Sequence, residues 1–322
     1  MAAVRVPIGA GTWLRLGRHP ELEQVAADFE PWTIAVSGAL RERRRPGSTL
    51  VACIEDRSGA LLGALVVERV AANRWNALPM VLDARSAPVL AWLADRSPAR
   101  RVFGMPDHVD PLLAGLSRLN GTTRLPFFAN RLAGVDRPQV DPRTRVAGPG
   151  DVPAILDVLQ TYPYLSLPSR RAKRRFVERT IAERFAVVVE VDGRVVGAVL
   201  LDALGRDHAY LADMAVHPDF RGQGLAWPMI VRLGDLALEL DIGLCASKDD
   251  TNPMNVSPHV AIHGAGPGEP VDEWVAAQLR PRRVLGPAKW RDHQVRRAHR
   301  LVDALEQRGP RLRRPAPTLR RP

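Results

Sequence analysis

Apolar and polar positions along this chain form a pattern that occurs twice. Residues 50–67, LVACIEDRSGALLGALVV, run from an apolar stretch through an acidic turn with a glycine into a second apolar stretch. Residues 185–201, FAVVVEVDGRVVGAVLL, repeat that order, with Gly59 matching Gly193 and Gly63-Ala64 matching Gly197-Ala198. Short apolar, β-branched runs around an Asp/Gly turn predict β-hairpins. The flanks agree. In each copy a helical stretch precedes the hairpin and a strand-like run follows it, at 75–83 and 208–216. Then come a helix with an early proline (Pro88; Pro228) and a further strand, at 101–105 and 242–247. The chain reads as two copies of one α/β unit, joined across the polar, proline-rich residues 134–145.

The second copy begins with a strand at 145–147. Asp151 is placed to cap a helix through Leu159, and Ser169 a second helix whose apolar stripe is Ala172, Phe176, Val177, Ile181 and Ala182. Strands follow at 185–191, 194–201 and 208–216. A helix over 225–240 carries Ala226, Ile230, Leu233 and Ala237 on one face, before the strand at 242–247. Residues 264–269 read as loop, and 291–308 as a terminal helix.

Composition narrows the class. Of 322 residues 46% are hydrophobic and 25% charged, ordinary for a globular protein, while 5% aromatic content weakens a reading based on stacked nucleic-acid bases. Two cysteines, Cys53 and Cys245, support neither a disulfide framework nor a four-thiolate zinc site. Both lie in apolar runs, so buried thiols are expected. No uncharged apolar stretch reaches the ~18 residues of a transmembrane helix, and the N-terminus lacks the apolar core of a secretory signal. The expectation is a cytoplasmic protein. Part of the net charge of +11 sits in an Arg/Pro-rich tail, 310–322, expected to be disordered.

One segment carries most of the chemistry. In residues 211–226, LADMAVHPDFRGQGLA, an apolar strand runs through a loop of Arg221, Gly222, Gln223 and Gly224 into a helix. Glycines permit a tight turn, and the first N–H groups of the helix sit unpaired at its positive end. That arrangement suits a diphosphate.

The segment resembles the acetyl-CoA-binding motif of the GNAT N-acetyltransferase superfamily, Arg/Gln-x-x-Gly-x-Gly/Ala, with Arg221, Gly224 and Ala226 at its three defined positions. Residues 214–220 resemble the strand and loop that lead into it, and the order of elements over about 144–265 agrees. The implied fold is α/β, two GNAT-like mixed β-sheet domains with flanking helices: a degenerate copy at 1–138 and an acetyltransferase domain at 139–309. The resemblance implies acetyl-CoA as co-substrate, and because the adjacent carboxylates and histidines lack metal-site spacing, no metal is expected. It implies that Gly222, Gln223, Gly224, Leu225 and Ala226 hold the diphosphate through their N–H groups beside Arg221. Backbone groups of Met214 and Val216 would pair with the pantetheine arm, and Asn252 is the matching position after the last strand. At the corresponding place the first copy has DARSAP, residues 83–88. Without glycines, and with a carboxylate at the entrance, it is expected not to bind diphosphate. Tandem arrangements with one working half occur in this superfamily, mycothiol synthases among them.

The implied reaction is direct attack of an amine on the thioester, with a base, an acid and an oxyanion donor. Val216 is the oxyanion candidate by position, and Asp213 the candidate base on the same strand. His208 and His217 have the intrinsic range for a base, with His217 more simply a solvated loop residue and Tyr210 packing. The acid position departs from the family, which often has Tyr seven residues after Asn; here His259 stands seven after Asn252. Asp249 and Asp250 could meet a cationic acceptor or solvate a turn. The acceptor is read as an amine of a small molecule or peptide, with no membrane and no nucleic-acid partner. Two other readings stay open: a GNAT-like peptidyl transferase using aminoacyl-tRNA, for which the arginines of 170–184 could contact phosphates, and a non-catalytic CoA-binding protein.

Overall fold

The structure, a computed structural model, describes residues 4–9, 11–30, 32–41, 49–71, 74–130, 139–161, 170–247 and 272–281. The first half contains β1 (Val4–Gly9), β2 (Thr12–Leu16), α1 (Leu22–Asp28), α2 (Ile34–Arg41), β3 (Thr49–Glu55), β4 (Leu61–Ala71), β5 (Arg74–Val81), α3 (Ala87–Arg96), β6 (Arg101–Gly104), α4 (Pro106–Leu113) and β7 (Leu119–Asn130). The second contains β8 (Thr144–Val146), α5 (Val152–Gln160), α6 (Arg170–Ala182), β9 (Ala186–Val191), β10 (Arg194–Leu204), β11 (His208–Val216), α7 (Ala226–Glu239), β12 (Gly243–Ser247) and β13 (Asp272–Leu279). The proposed terminal helix at 291–308, Ser169 and the tail lie outside the described residues.

Both repeated hairpins form: β3 with β4, and β9 with β10. At the second turn Asp192 and Gly193 both have positive φ, 52° and 72°, the combination that matches the twist of two antiparallel strands. The strands of this hairpin are covered on both faces, which explains their unbroken apolar runs. Val187 and Val189 pack toward α7, while Ala186 and Val188 pack toward α5 and α6. The matched glycines serve close approach. A Cβ on Gly197 would come within 2.8 Å of Val189 and 3.1 Å of Met229 on α7, and one on Gly63 within 2.5 Å of Ser86 ahead of α3.

Asp151 differs from its expected role. Its side chain makes no capping bond into α5. It accepts instead from the Gly148 N–H at 2.7 Å and pairs with Arg145 at 2.6 Å, and Arg145 holds its carboxyl below the usual carboxylate range. The backward hydrogen bond tightens the turn before the helix.

The strands of the two halves join in one thirteen-stranded sheet, in the order β1-β2-β3-β4-β5-β6-β13-β7-β12-β11-β10-β9-β8. The halves exchange strands at its centre: β13, from the second half, lies between β6 and β7, and β7, from the first, pairs with β12. Trp274 of β13 anchors this junction. Its indole stacks between Tyr210 (5.4 Å between centroids) and Phe127 (4.8 Å), with Phe103 edge-on at 4.4 Å. Two buried aromatic faces supply both area and ring-to-ring attraction. Among the described residues, no helix is long and apolar enough to cross a membrane.

A second weld is polar. Glu30, just after α1, is buried, and its two carboxylate oxygens accept from the N–H groups of Arg206 and Asp207, each at 2.9 Å, in the β10–β11 turn. The carboxylate lies against Gly205, where a Cβ would stand 2.3 Å from it. Because the carboxylate is tied by two charge-assisted bonds, it cannot yield cheaply. Gly205→Ala is therefore expected to lower the unfolding free energy by about 2 kcal/mol. The loss should shrink markedly in a Glu30→Ala background, as a double-mutant cycle of chemical denaturation would read.

Candidate functional site

Strand β11 begins inside the sheet and ends at its own edge. It pairs in parallel with β12 at His208, Tyr210 and the residue between them, and the pairing stops at Tyr210↔Cys245. Strand β12 continues beside β7, whereas β11 continues beside β10 to Gly197↔Val216. A bulge lies at this point: Asp213 faces Leu200 and Leu211 faces Leu201, so Ala212 is an extra residue. Bulges bend a strand and redirect it, and here β11 leaves β12.

The outer edge of β11 can be assigned from its ladder. The His217 N–H donates to Val196 at 2.8 Å, which makes that a hydrogen-bonded pair in an antiparallel ladder. Alternation then turns the backbone groups of Ala215 and Asp213 toward β10, and those of Met214 and Val216 away from it. The outward Val216 carbonyl accepts from Arg221 Nε at 3.0 Å. Among the described residues, β12 supplies no partner for the remaining groups of Met214 and Val216. Their side chains pack toward α7 beside Leu225. Asp213 is half-buried.

The strand leads through His217 and a 3-10 turn (Pro218–Phe220) into the glycine loop. Gly222 and Gly224 have φ of 76° and 72°, and nothing lies within 4 Å of where a Cβ would stand on either. The loop therefore needs glycine for its backbone, and the space beside it is open. Leu225 is the buried N-cap residue and Ala226 opens α7; no side chain caps the helix, and its first turn has no acidic residue. Gln223 is exposed. Open N–H groups at a helix start, two glycines with free space above them and an adjacent arginine fit an anionic diphosphate.

The first half presents the same strand, but closed. By the ladder registers, Gly63↔Val81 corresponds to Gly197↔Val216, so Val81 matches Val216 and Pro79 matches Met214. β5 likewise separates from β6 after Ala77. Proline removes one outward N–H. The other, on Val81, donates to His108 Nδ1 from α4 at 3.3 Å. At the helix start, Asp83 accepts from the Arg85 N–H at 2.8 Å and pairs with the Arg85 guanidinium, which holds its carboxyl below the usual range. A side-chain carboxylate thus occupies the position open in the second half, as the absence of glycines from 83–88 leads one to expect.

The other candidates separate. His208 is buried at the start of β11, remote in sequence from the loop. His217 Nδ1 accepts from the Asp219 N–H at 3.4 Å, so it organises the 3-10 turn. Tyr210 packs on Trp274. Cys53 and Cys245 are buried; burial pushes the Cys53 thiol up to about 12 and raises that of Cys245. His259, Asn252, Asp249 and Asp250 lie outside the described residues. Sequence reading passed over Pro79 and His108. Pro79 within an apolar strand is a visible sign of a missing N–H, whereas His108 becomes meaningful only through its contact.

The acetyltransferase (GNAT) family pattern matches residues 152–251. Among solved structures, a GCN5-related N-acetyltransferase from Sphaerobacter thermophilus is 15% identical with a TM-score of 0.59, over 87% of this chain and 99% of that one. A GNAT-family acetyltransferase from Colwellia psychrerythraea is 13% identical with a TM-score of 0.55, over 83% and 99%. A tandem GNAT protein from the clavulanic acid biosynthesis pathway is 14% identical with a TM-score of 0.54, over 84% and 100%. These are likenesses of fold, and they span both halves. No curated protein matches the sequence significantly.

The closed half carries a pH signature. His108 is buried, and burial holds its pKa below the ordinary 6.5 against the opposing pull of Asp107. The fold thus favours the neutral ring, whose Nδ1 can accept. Its stabilisation is present above pH 6.5 and declines as pH falls through the lowered value. His108→Ala should cost about 1–3 kcal/mol at neutral pH by orphaning the Val81 N–H. Its thermal midpoint should fall less than that of the unaltered protein between about pH 7.5 and about pH 5. Parallel thermal melts at the two pH values check both effects.

Proposed function

Taking as premise that residues 152–251 form a domain of the GNAT acetyltransferase family, we propose that the protein is a CoA-dependent N-acyltransferase. It moves an acetyl group from acetyl-CoA to an amine of a small molecule or peptide. The observation that carries this reading is the difference between the halves at matched positions. Met214 and Val216 turn backbone groups to an edge without a β12 partner, ahead of an uncapped glycine turn, while Pro79, His108 and Asp83 close the first half. We keep the division into 1–138, 139–309 and the tail at 310–322 as part of the same proposal.

Acetyl-CoA, when bound, supplies an acyl carbon activated as a thioester. The N–H groups from Gly222 to Ala226 hold its diphosphate, assisted by the helix dipole. The outward groups of Met214 pair with the pantetheine amides as an added strand would. The Val216 N–H is the donor for a developing oxyanion, and the Val216–Arg221 bond fixes the strand end that aims it. Asp213, at the bulge, is the proposed base for the ammonium proton. His259 is the proposed acid for the leaving thiolate, with Asn252 on the donor side.

Calorimetry should find one acetyl-CoA site per chain. Gly224→Asp should weaken binding by on the order of a hundredfold, because it places a like charge in the anion cradle. Asp tolerates positive φ better than most residues, and the loop is exposed, so the melting midpoint should fall by only a few degrees. Two equal sites, or undiminished affinity in a folded Gly224→Asp protein, would contradict the proposal. Aminoacyl-tRNA titrated in parallel tests the peptidyl-transferase alternative.

A further inference from the structure

Trp227 is the second residue of α7 and is 42% exposed. Among the described residues, the only other large hydrophobic side chain as open is Leu240, at the far end of the same helix. The other described tryptophans are all less exposed than Trp227; Trp274 is buried, and Trp13 and Trp92 lie beneath arginine guanidinium groups. The apolar face of α7 is satisfied without Trp227, through Met229, Ile230, Leu233 and Ala237. Leaving an indole in water forgoes burial that a tryptophan ordinarily finds.

Its position gives the indole a task. Cα–Cβ bonds in a helix tilt toward the N-terminus, so a first-turn side chain leans back over the residues before it. For Trp227 those are Gly222, Gln223 and Gly224, all exposed and with free space above both glycines. A flat apolar ring thus borders an open anion cradle. A ligand matching both has a planar π-system joined to a phosphate group, which is the chemistry of a nucleotide. Inorganic phosphate or a phosphopantetheine arm alone would leave the ring uncovered.

We propose that Trp227 stacks on the adenine ring of the donor and makes the site selective for the nucleotide end of CoA. This rests on the acetyl-CoA reading above and goes beyond it by assigning a base-recognition residue outside the glycine motif. Base–aromatic stacking tolerates a change of aromatic ring but not its loss.

The test compares CoA with 4′-phosphopantetheine, which lacks the 3′-phospho-AMP portion, by calorimetry on the full chain. Trp227→Leu should weaken CoA about tenfold and leave 4′-phosphopantetheine within about twofold, while Trp227→Phe keeps most of the CoA affinity. CoA should also quench tryptophan emission in the unaltered protein, and that quenching should fall in Trp227→Leu. Thermal melts confirm that each variant is folded. Unchanged CoA affinity in Trp227→Leu overturns the stacking role and leaves the acetyl-CoA reading standing. An equal loss for both ligands also overturns it, because the residue would then be shaping the loop. If the unaltered protein binds neither ligand, the acetyl-CoA reading itself fails, and the stacking role with it.

Discussion

A backbone that leaves its sheet must find new partners for its polar groups, and the site is organised by how the two halves meet that demand. In the second half β11 separates from β12 after Tyr210, and the bulge at Ala212 carries its last residues outward. Met214 and Val216 then present backbone groups along an edge that leads into the glycine turn. In the first half the homologous edge is met from within, by the missing N–H of Pro79, the His108 ring and the Asp83 carboxylate. One repeated framework thus yields an open slot and a closed one through a few side chains.

The open slot depends on rigidity elsewhere. A strand that loses a neighbour loses half its ladder, so its start must be held firmly. Tyr210 is the last residue paired to β12, and its ring is clamped on Trp274, which stacks in turn on Phe127. β13 and β7, the strands that carry those two partners, are the ones exchanged between the halves. Glu30 holds the same end of β11 by gripping the turn that precedes it. The closed half therefore contributes structure to the site through Phe127 and Glu30.

Much of this was legible in the sequence. The paired hairpins, the matched Gly-Ala steps and the strand–glycine–helix passage follow from local pattern, and each takes its expected form. The two welding strands did not stand out. β7 contains Gly121 and Pro126, which locally signal a turn, and residues 121–124 are exposed, so no apolar alternation marks it. β13 follows a proline- and glycine-rich stretch. Its strand character comes from partners, Leu119 to Phe127, that lie far away in the chain. Asp151 looked like a helix cap because the residue type fits; the turn before it bends the carboxylate back to Gly148. The outward direction of Met214 and Val216 is a property of ladder register, which no single strand encodes.

The central claim is that the donor lies along the outer edge of β11 and over the glycine turn, in the second half alone. Amide hydrogen exchange with and without acetyl-CoA tests it most directly. Protection should appear at Met214, Val216 and the amides from Gly222 to Ala226, while Val81 and residues 83–87 exchange at unchanged rates. Protection centred on the first-half residues, or none at the second-half edge under saturating ligand, would contradict the account.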